Sequence, residues 1–287
     1  MQRGAATGQD WAAHSATLSV VIRNRNEANS LRLVLDALAI QREPAEQVVL
    51  VDNASTDGSR DLARAWGAEV LELPREEFTY GRALNLGISA CRGDLILILS
   101  AHALPLTRHF LTDVRAPFAQ SNVAAARCLH IGKTRELRTW METRELTSAD
   151  TLDAVVSRGP LASGCVIRRT AWEDTPLDET AEAVEDKFWA LRVLERGYVI
   201  RNSEAMYYYL RTKTPREEIA QSTREAVALY RHAHIAPRAS FVSLCRDILV
   251  GAPTAAARVI SNAVIRYTSM KFVPSRAKRE PRSGAIR

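Results

Sequence analysis

The chain of 287 residues is 46% hydrophobic and 25% charged, an ordinary globular balance with length for one large domain and an appendage, or for two small domains. Four scattered cysteines, Cys91, Cys128, Cys165 and Cys245, include no C-x-x-C pair; this argues against a disulfide framework or a cysteine zinc site and fits a reducing cytoplasm. The net charge of +6 belongs to the tail: residues 216–287 hold 13 Lys and Arg against 5 Asp and Glu, and the remainder nets −2, so the end of the chain suits either an anionic partner such as a membrane surface or a solvated helical face.

Residues 1–16 hold no apolar core and read as a mobile tail, neither signal peptide nor membrane anchor. Residues 18–22, LSVVI, are apolar and β-branched between polar flanks, the pattern of a buried strand. Leu31, Val34, Leu35 and Leu38 recur at helical spacing, so a helix packs its stripe on a sheet. A second strand at 48–51 ends in DNASTDGS, dense in turn and capping residues, before a helix around 62–66. A short VLEL at 70–73 follows, then a helix with Leu84, Gly87, Ile88 and Cys91 on one side, then the strand LILIL at 95–99. Strand and helix patterns alternate and several strands are apolar on both faces, which predicts a mostly parallel sheet covered by helices.

After residues 123–128 the periodicity weakens for about thirty residues. A strand is expected at 161–169 and a helix over 185–198, EDKFWALRVLERGY, closed by Gly197. From Arg216 only helical patterns remain, including amphipathic stretches within 241–272 that carry Arg246, Arg258, Arg266 and Lys271. The organisation expected is a tail at 1–16, an α/β domain at 17–215 and a basic helical extension at 216–287.

Ligands of an open parallel sheet collect at the carboxyl ends of its strands. Three strands end suggestively here: the first in RNRNE, the second in DNASTDGS and the fourth in SAHALP. Taken alone, Asp52 and Asn53 would more often make a turn, and Glu185 and Asp186 would more often be acids favoured at a helix N-terminus.

The order and spacing of four stretches change that reading. SVVIRNRNEANSLRLVLDAL, VVLVDNASTDGS, GRALNLGISACRGDLILILSAHALP and EDKFWALRVLERGY together resemble the family 2 glycosyltransferases over about residues 18–200. That family consists of inverting GT-A enzymes, which move a sugar from a nucleotide diphosphate donor. FTYGRALNLG followed by LSAHALP is similar to its rhamnosyltransferase-like branch, where T-Q-D-A often stands at the place of Ser100, Ala101, His102 and Ala103. The resemblance implies a GT-A, Rossmann-like α/β fold with a C-terminal helical extension. It also implies a pyrimidine nucleotide diphosphate sugar as donor and a glycan or lipid-linked hydroxyl as acceptor.

Residue by residue, Asp52 matches the base-reading aspartate, with Asn53 beside it. Arg23, Asn24, Arg25 and Glu27 match the loop that frames base and ribose, with Arg25 where many members have tyrosine; a guanidinium also stacks on a base. Arg82 and Asn85 match positions that face the diphosphate and sugar, where charge on the leaving group needs a cation. Asp186 matches the general base that deprotonates the acceptor hydroxyl, and Glu185 its neighbour.

His102 occupies the place of the aspartate that commonly holds Mg2+ or Mn2+. Imidazole is a poor ligand for Mg2+ and an acceptable one for Mn2+. Three readings stay open: His102 ligates a divalent metal; His102 with Arg82 and Arg211 or Lys213 neutralises the diphosphate without one; or the site is dead and the protein only binds a nucleotide-sugar. His14, His109, His130, His232 and His234 have no partners at ligand spacing. The basic extension suits the inner face of a plasma membrane as a peripheral contact, with packing on the catalytic domain or a homodimer as alternatives. Nucleic acid is not expected as a partner, because no aromatics interleave the tail cations. A dinucleotide oxidoreductase lacks its G-x-G-x-x-G here.

Overall fold

Strand β1 (Leu18–Asn24) divides its side chains between two cores: Leu18, Val20 and Ile22 enter one, and Val21 enters the other. The same division runs through β2 (Gln47–Asp52) and β4 (Leu95–Ser100). A strand covered by helices on both faces has no solvent side, so its sequence is an apolar run without alternation. On one face lie α1 (Ala28–Ala39), through Leu31, Val34, Leu35 and Leu38, and α4 (Phe110–Arg115), through Phe110, Leu111 and Val114. On the other lie α3 (Tyr80–Ala90), through Leu84 and Ile88, and α7 (Glu185–Glu195), through Trp189, Val193 and Leu194.

The computed structural model describes residues 16–131, 137–138, 140–141, 145–212 and 214–233. Residues 1–15 of the tail expected at 1–16, Lys213, His234 and the amphipathic stretches within 241–272 lie outside the described residues. The described residues divide into two compact units, one of 16–180 with 185–211 and one of 181–184 with 212–233.

Within the first unit the remaining strands are β3 (Glu69–Glu72), β5 (Ala103–Pro105), β6 (Val123–Ile131), β7 (Glu145–Leu146), β8 (Gly164–Arg168) and β9 (Val199–Tyr209). The remaining helices are α2 (Ser59–Trp66), α5 (Leu152–Arg158) and α6 (Arg169–Asp174). One sheet joins the described strands in the order β3-β2-β1-β4-β8-β6-β9-β5, with β7 paired to β9. The β3-β2-β1-β4 half is parallel throughout; beyond it β8 runs antiparallel to both β4 and β6, β6 and β9 are parallel, and β5 and β7 run antiparallel to β9. The sheet is therefore parallel where the strand-helix alternation was clear and mixed elsewhere.

Three strands escape sequence reading, β7 because it has only two residues. β5 has three residues and contains Pro105. β9 carries the polar run Arg201, Asn202, Ser203 and Glu204, and its register with β6 shifts twice, so apolar alternation is broken along it. The strand expected at 161–169 is shorter, and residues 161–163 form a loop instead.

The second unit contains α8 (Pro215–Ala233). Its start is a reciprocal capping box: the Thr214 N–H donates to Glu217 Oε2 at 2.8 Å, and the Glu217 N–H donates to Thr214 Oγ1 at 3.3 Å. Arg231 and Glu182 pair within the same unit.

Helix α3 reaches the sheet because Gly87 has no side chain. A Cβ there would stand 2.6 Å from Val21 Cγ1 and 2.8 Å from Val51 Cγ2, one methyl from each of two adjacent strands. Gly87→Ala is expected to push α3 off β1 and β2 and to cost about 1–3 kcal/mol, as overpacking of a close-packed core does, read as a lower urea midpoint with an unchanged m value.

Candidate functional site

Parallel pairing in register brings the strand ends together. Asn24 at the end of β1 is the partner of Asp52 at the end of β2, and Arg23 is the partner of Ser100 at the end of β4. Paired residues point to the same face of a sheet, so Asn24 reaches Asp52: its Nδ2 donates to Asp52 Oδ2 at 2.8 Å and to Ser55 Oγ at 3.1 Å. The Ser55 N–H donates to Asp52 Oδ1 at 2.9 Å. Asp52 is fully buried. The turn after it places Ala54 at φ 51°, a left-handed conformation that a side chain disfavours. The first loop is locked to this turn, because the Asn26 N–H donates to Ser55 Oγ at 2.9 Å and the Thr56 N–H donates to Asn26 Oδ1 at 2.8 Å.

This rim carries buried polar atoms without hydrogen-bond partners among the described residues: Arg23 Nε, Asn24 Oδ1 and Asn53 Oδ1. Buried polar groups are nearly always paired, so such a cluster asks for a ligand or ordered water. Arg23 also lays its guanidinium over the Tyr80 ring, 5.0 Å from its centroid, and donates from Nη2 to the Ala162 carbonyl at 3.2 Å. Arg25 is exposed at the mouth of the same loop.

The Ala162 residue links the strand rim to the carboxylate pair. Its carbonyl accepts from Arg23 and its N–H donates to Asp186 Oδ2 at 2.9 Å. Asp186 Oδ1 accepts the Lys187 N–H at 2.8 Å, so both oxygens are oriented by main chain at the start of α7. Glu185 beside it is buried, 4% exposed. Burial, then the Asp186 charge, push its carboxyl up to about 7, against the pull of Arg23. Lys187 turns away and donates from Nζ to the carbonyls of Gly159 and Pro160 at 2.8 and 2.6 Å. The structure thus brings Asp186 and Glu185 to the same rim as Arg23, Asn24 and Asp52.

His102, past the end of β4, stands with its Nδ1 3.5 Å from Glu27 Oε1, and Arg211 Nη1 stands 3.2 Å from that same oxygen. The His102 ring meets Tyr209 edge-on, centroids 4.3 Å apart. The main chain at Ser100 and Ala101 is tied down, with the Ser100 N–H on the Ser163 carbonyl at 3.3 Å and the Ala101 N–H on the Arg23 carbonyl at 3.1 Å. Among the described residues no three His, Cys, Asp or Glu side chains gather as a cluster that could hold a metal.

Two expected donor contacts have other partners. Asn85 donates to the Leu177 carbonyl and Glu179 and accepts from Trp172 Nε1 and the Leu177 N–H, each near 3 Å. An amide side chain has two donors and two acceptor sites, so its capacity is spent fixing residues 172–179 to α3. Arg82 is half-exposed and pairs with Glu77. Conversely, Tyr80, Ala162, Tyr209 and Arg211 join the site. Arg211 carries a signal in the sequence as a cation following the YYYL run, and Tyr80 lies within the FTYGRALNLG stretch without being singled out there; Ala162 acts through its main chain, which no side-chain pattern reveals.

Comparison with known proteins agrees with this architecture. A model of the glycosyl transferase family 2 matches residues 19–171. The O-antigen chain rhamnosyltransferase WbaN of Salmonella anatum is 25% identical over 192 residues, 62% of this chain; the chain spans 61% of the length of that curated relative. Among solved structures, the mannosyltransferase PcManGT from Pyrobaculum calidifontis in complex with GDP-Man and Mn2+ superposes with a TM-score of 0.59 at 19% identity, over 92% of this chain and 77% of that one. Glucosyl-3-phosphoglycerate synthase from Mycobacterium tuberculosis, in complex with Mn2+, UDP and glucosyl-3-phosphoglycerate, superposes with a TM-score of 0.58 at 18% identity, over 83% and 88% of the two chains. TarS of S. aureus gives 0.57 at 17% identity, over 91% and 82%. At such identities the likeness speaks for the fold, which is of the GT-A type. With the family model spanning more than half of its residues, the chain belongs to glycosyl transferase family 2.

Proposed function

We propose that this chain is an inverting glycosyltransferase that moves a sugar from a pyrimidine nucleotide diphosphate to a hydroxyl of a glycan or lipid-linked acceptor, with Asp186 as general base. The observation that carries the reading is the Ala162 link, which holds Asp186 against the strand rim where Asp52, Asn24 and Arg23 converge. Direct displacement needs a base on the face opposite the leaving nucleotide, within reach of the attacking hydroxyl. A carboxylate offers about four lone-pair sites. The two main-chain bonds on Asp186 aim it and leave it capacity to accept a proton. Asp52 and the orphaned oxygens of Asn24 and Asn53 offer acceptors to a base N–H or a ribose hydroxyl. Deoxyhexose transfer is favoured by the similarity to a rhamnosyltransferase.

Among the described residues no helix is long and apolar enough to cross a membrane. The excess of cations in residues 216–287 favours a lipid-linked acceptor met at an anionic cytoplasmic membrane surface.

A divalent ion is compatible with the fold, since solved relatives are described with Mn2+. The donor set of this chain does not fit one. The carboxylate nearest His102 is Glu27, and the oxygen that would ligate an ion already faces the Arg211 guanidinium. A hard divalent cation at a nucleotide diphosphate is held by one or two carboxylates together with the phosphates, and here the single nearby carboxylate is shared with a permanent cation.

Asp186→Asn keeps the shape of the side chain and removes its basicity, at the loss of one of the two main-chain hydrogen bonds, because an amide NH2 cannot accept the N–H that a carboxylate oxygen accepts. Transfer, measured as nucleoside diphosphate release that depends on acceptor, is expected to fall by about 10²–10⁴-fold, with donor affinity retained. Unchanged turnover would sink the assignment of the base and favour a silent nucleotide-sugar binder. Glu185 supplies a separate pH signature. Its carboxyl is raised from 4.5 to about 7 by burial, so the folded protein holds a proton that the unfolded chain releases. Stability from this group is complete below the unfolded value and is lost as pH rises through about 7. The melting temperature is expected to decline between pH 5 and pH 8, and Glu185→Gln, neutral throughout, is expected to flatten that decline.

A further inference from the structure

Two nitrogen-bearing side chains meet at one atom, Glu27 Oε1. Arg211 Nη1 lies 3.2 Å from it and His102 Nδ1 lies 3.5 Å from it. The meeting is built by the sheet. β5 and β9 are antiparallel with Ala103 opposite Tyr209, and the pairing continues one step outward, the Leu210 N–H donating to the His102 carbonyl at 2.8 Å. Arg211 therefore leaves the sheet beside His102, and Tyr209 braces the imidazole edge-on. Glu27 comes from the other side, at the loop between β1 and α1 that also frames the rim of Asn24 and Asp52.

An ion seated between His102 and Glu27 would need the negative charge that Arg211 already engages, and would stand against a permanent cation. A guanidinium, by contrast, presents a planar fork of five donors and suits phosphate oxygens geometrically. It stabilises charge gathering on a leaving diphosphate without a metal. We infer that Arg211 and His102, gathered on Glu27, bind the diphosphate of the donor in place of a divalent ion. Glu27 is then a positioning residue that sets both groups at the rim. This inference rests on the donor-site reading above and extends it to the chemistry of the leaving group.

The test is calorimetric titration of the full chain with uridine, thymidine and guanosine diphosphates, after dialysis against EDTA and again with Mn2+ or Mg2+. The expected result is that at least one diphosphate binds, with a dissociation constant that agrees within about twofold between the two conditions. Arg211→Ala, at a side chain 43% exposed and so tolerant of truncation, is expected to weaken binding about tenfold or more in both conditions with its melting temperature kept. His102→Asp is expected to create a carboxylate pair with Glu27 and to make binding about tenfold tighter with Mn2+ than in EDTA. Wild-type binding that is lost in EDTA and restored by Mn2+ overturns the inference while leaving the donor site standing, and so does wild-type affinity in Arg211→Ala. Absence of binding by every diphosphate in every condition overturns the donor-site reading itself, and this inference with it.

Discussion

The register of three parallel strands is the constraint from which the site follows. Hydrogen bonding sets Asn24 opposite Asp52 and Arg23 opposite Ser100, so the strands end at one level and their next residues must share one rim. A slip of one residue would turn every side chain to the opposite face. It would bring Leu18, Val20 and Ile22 into the core that Val21 fills, and would part Asn24 from Asp52. Burial on both faces makes that slip costly, so the apolar packing of β1, β2 and β4 also fixes the polar geometry at their ends.

The carboxylate pair reaches that rim by a different route. α7 lies on the second core through Trp189, Val193 and Leu194, and its first turn is aimed by main-chain contacts. The Ala162 peptide serves both sides at once, donating to Asp186 and accepting from Arg23, which makes the strand rim and the helix start one network. Two acids in one helical turn then differ sharply in environment. Asp186 is partly exposed with two N–H partners, whereas Glu185 is buried beside it and keeps its proton toward neutral pH. Adjacent carboxyls divided in this way suit different protonation roles.

The surroundings of His102 depend on the second half of the sheet. β9 pairs with β6, β7 and β5 in the middle of a mixed region, and the residues just past its end decide what faces His102. His102 is here set among an arginine, a glutamate and a tyrosine, of which Arg211 and Tyr209 come from outside the four motif stretches.

The parallel half of the sheet, its covering helices and the order of the motifs were legible in the sequence, because burial on both faces writes itself as apolar runs and amphipathic stripes. So were the positions of Asp52 at the end of a strand, His102 two residues past one, and Glu185 and Asp186 at a helix start. What only the tertiary structure decided were contacts between segments distant in the chain. Asn85 is filled by residues 172–179, Arg211 lands on Glu27, and Ala162 joins Arg23 to Asp186 through its peptide. Local periodicity reports which side of an element is buried; it carries no record of which partner a polar group meets across the fold, because that partner is set by tertiary packing of segments that lie from 24 to 184 residues apart.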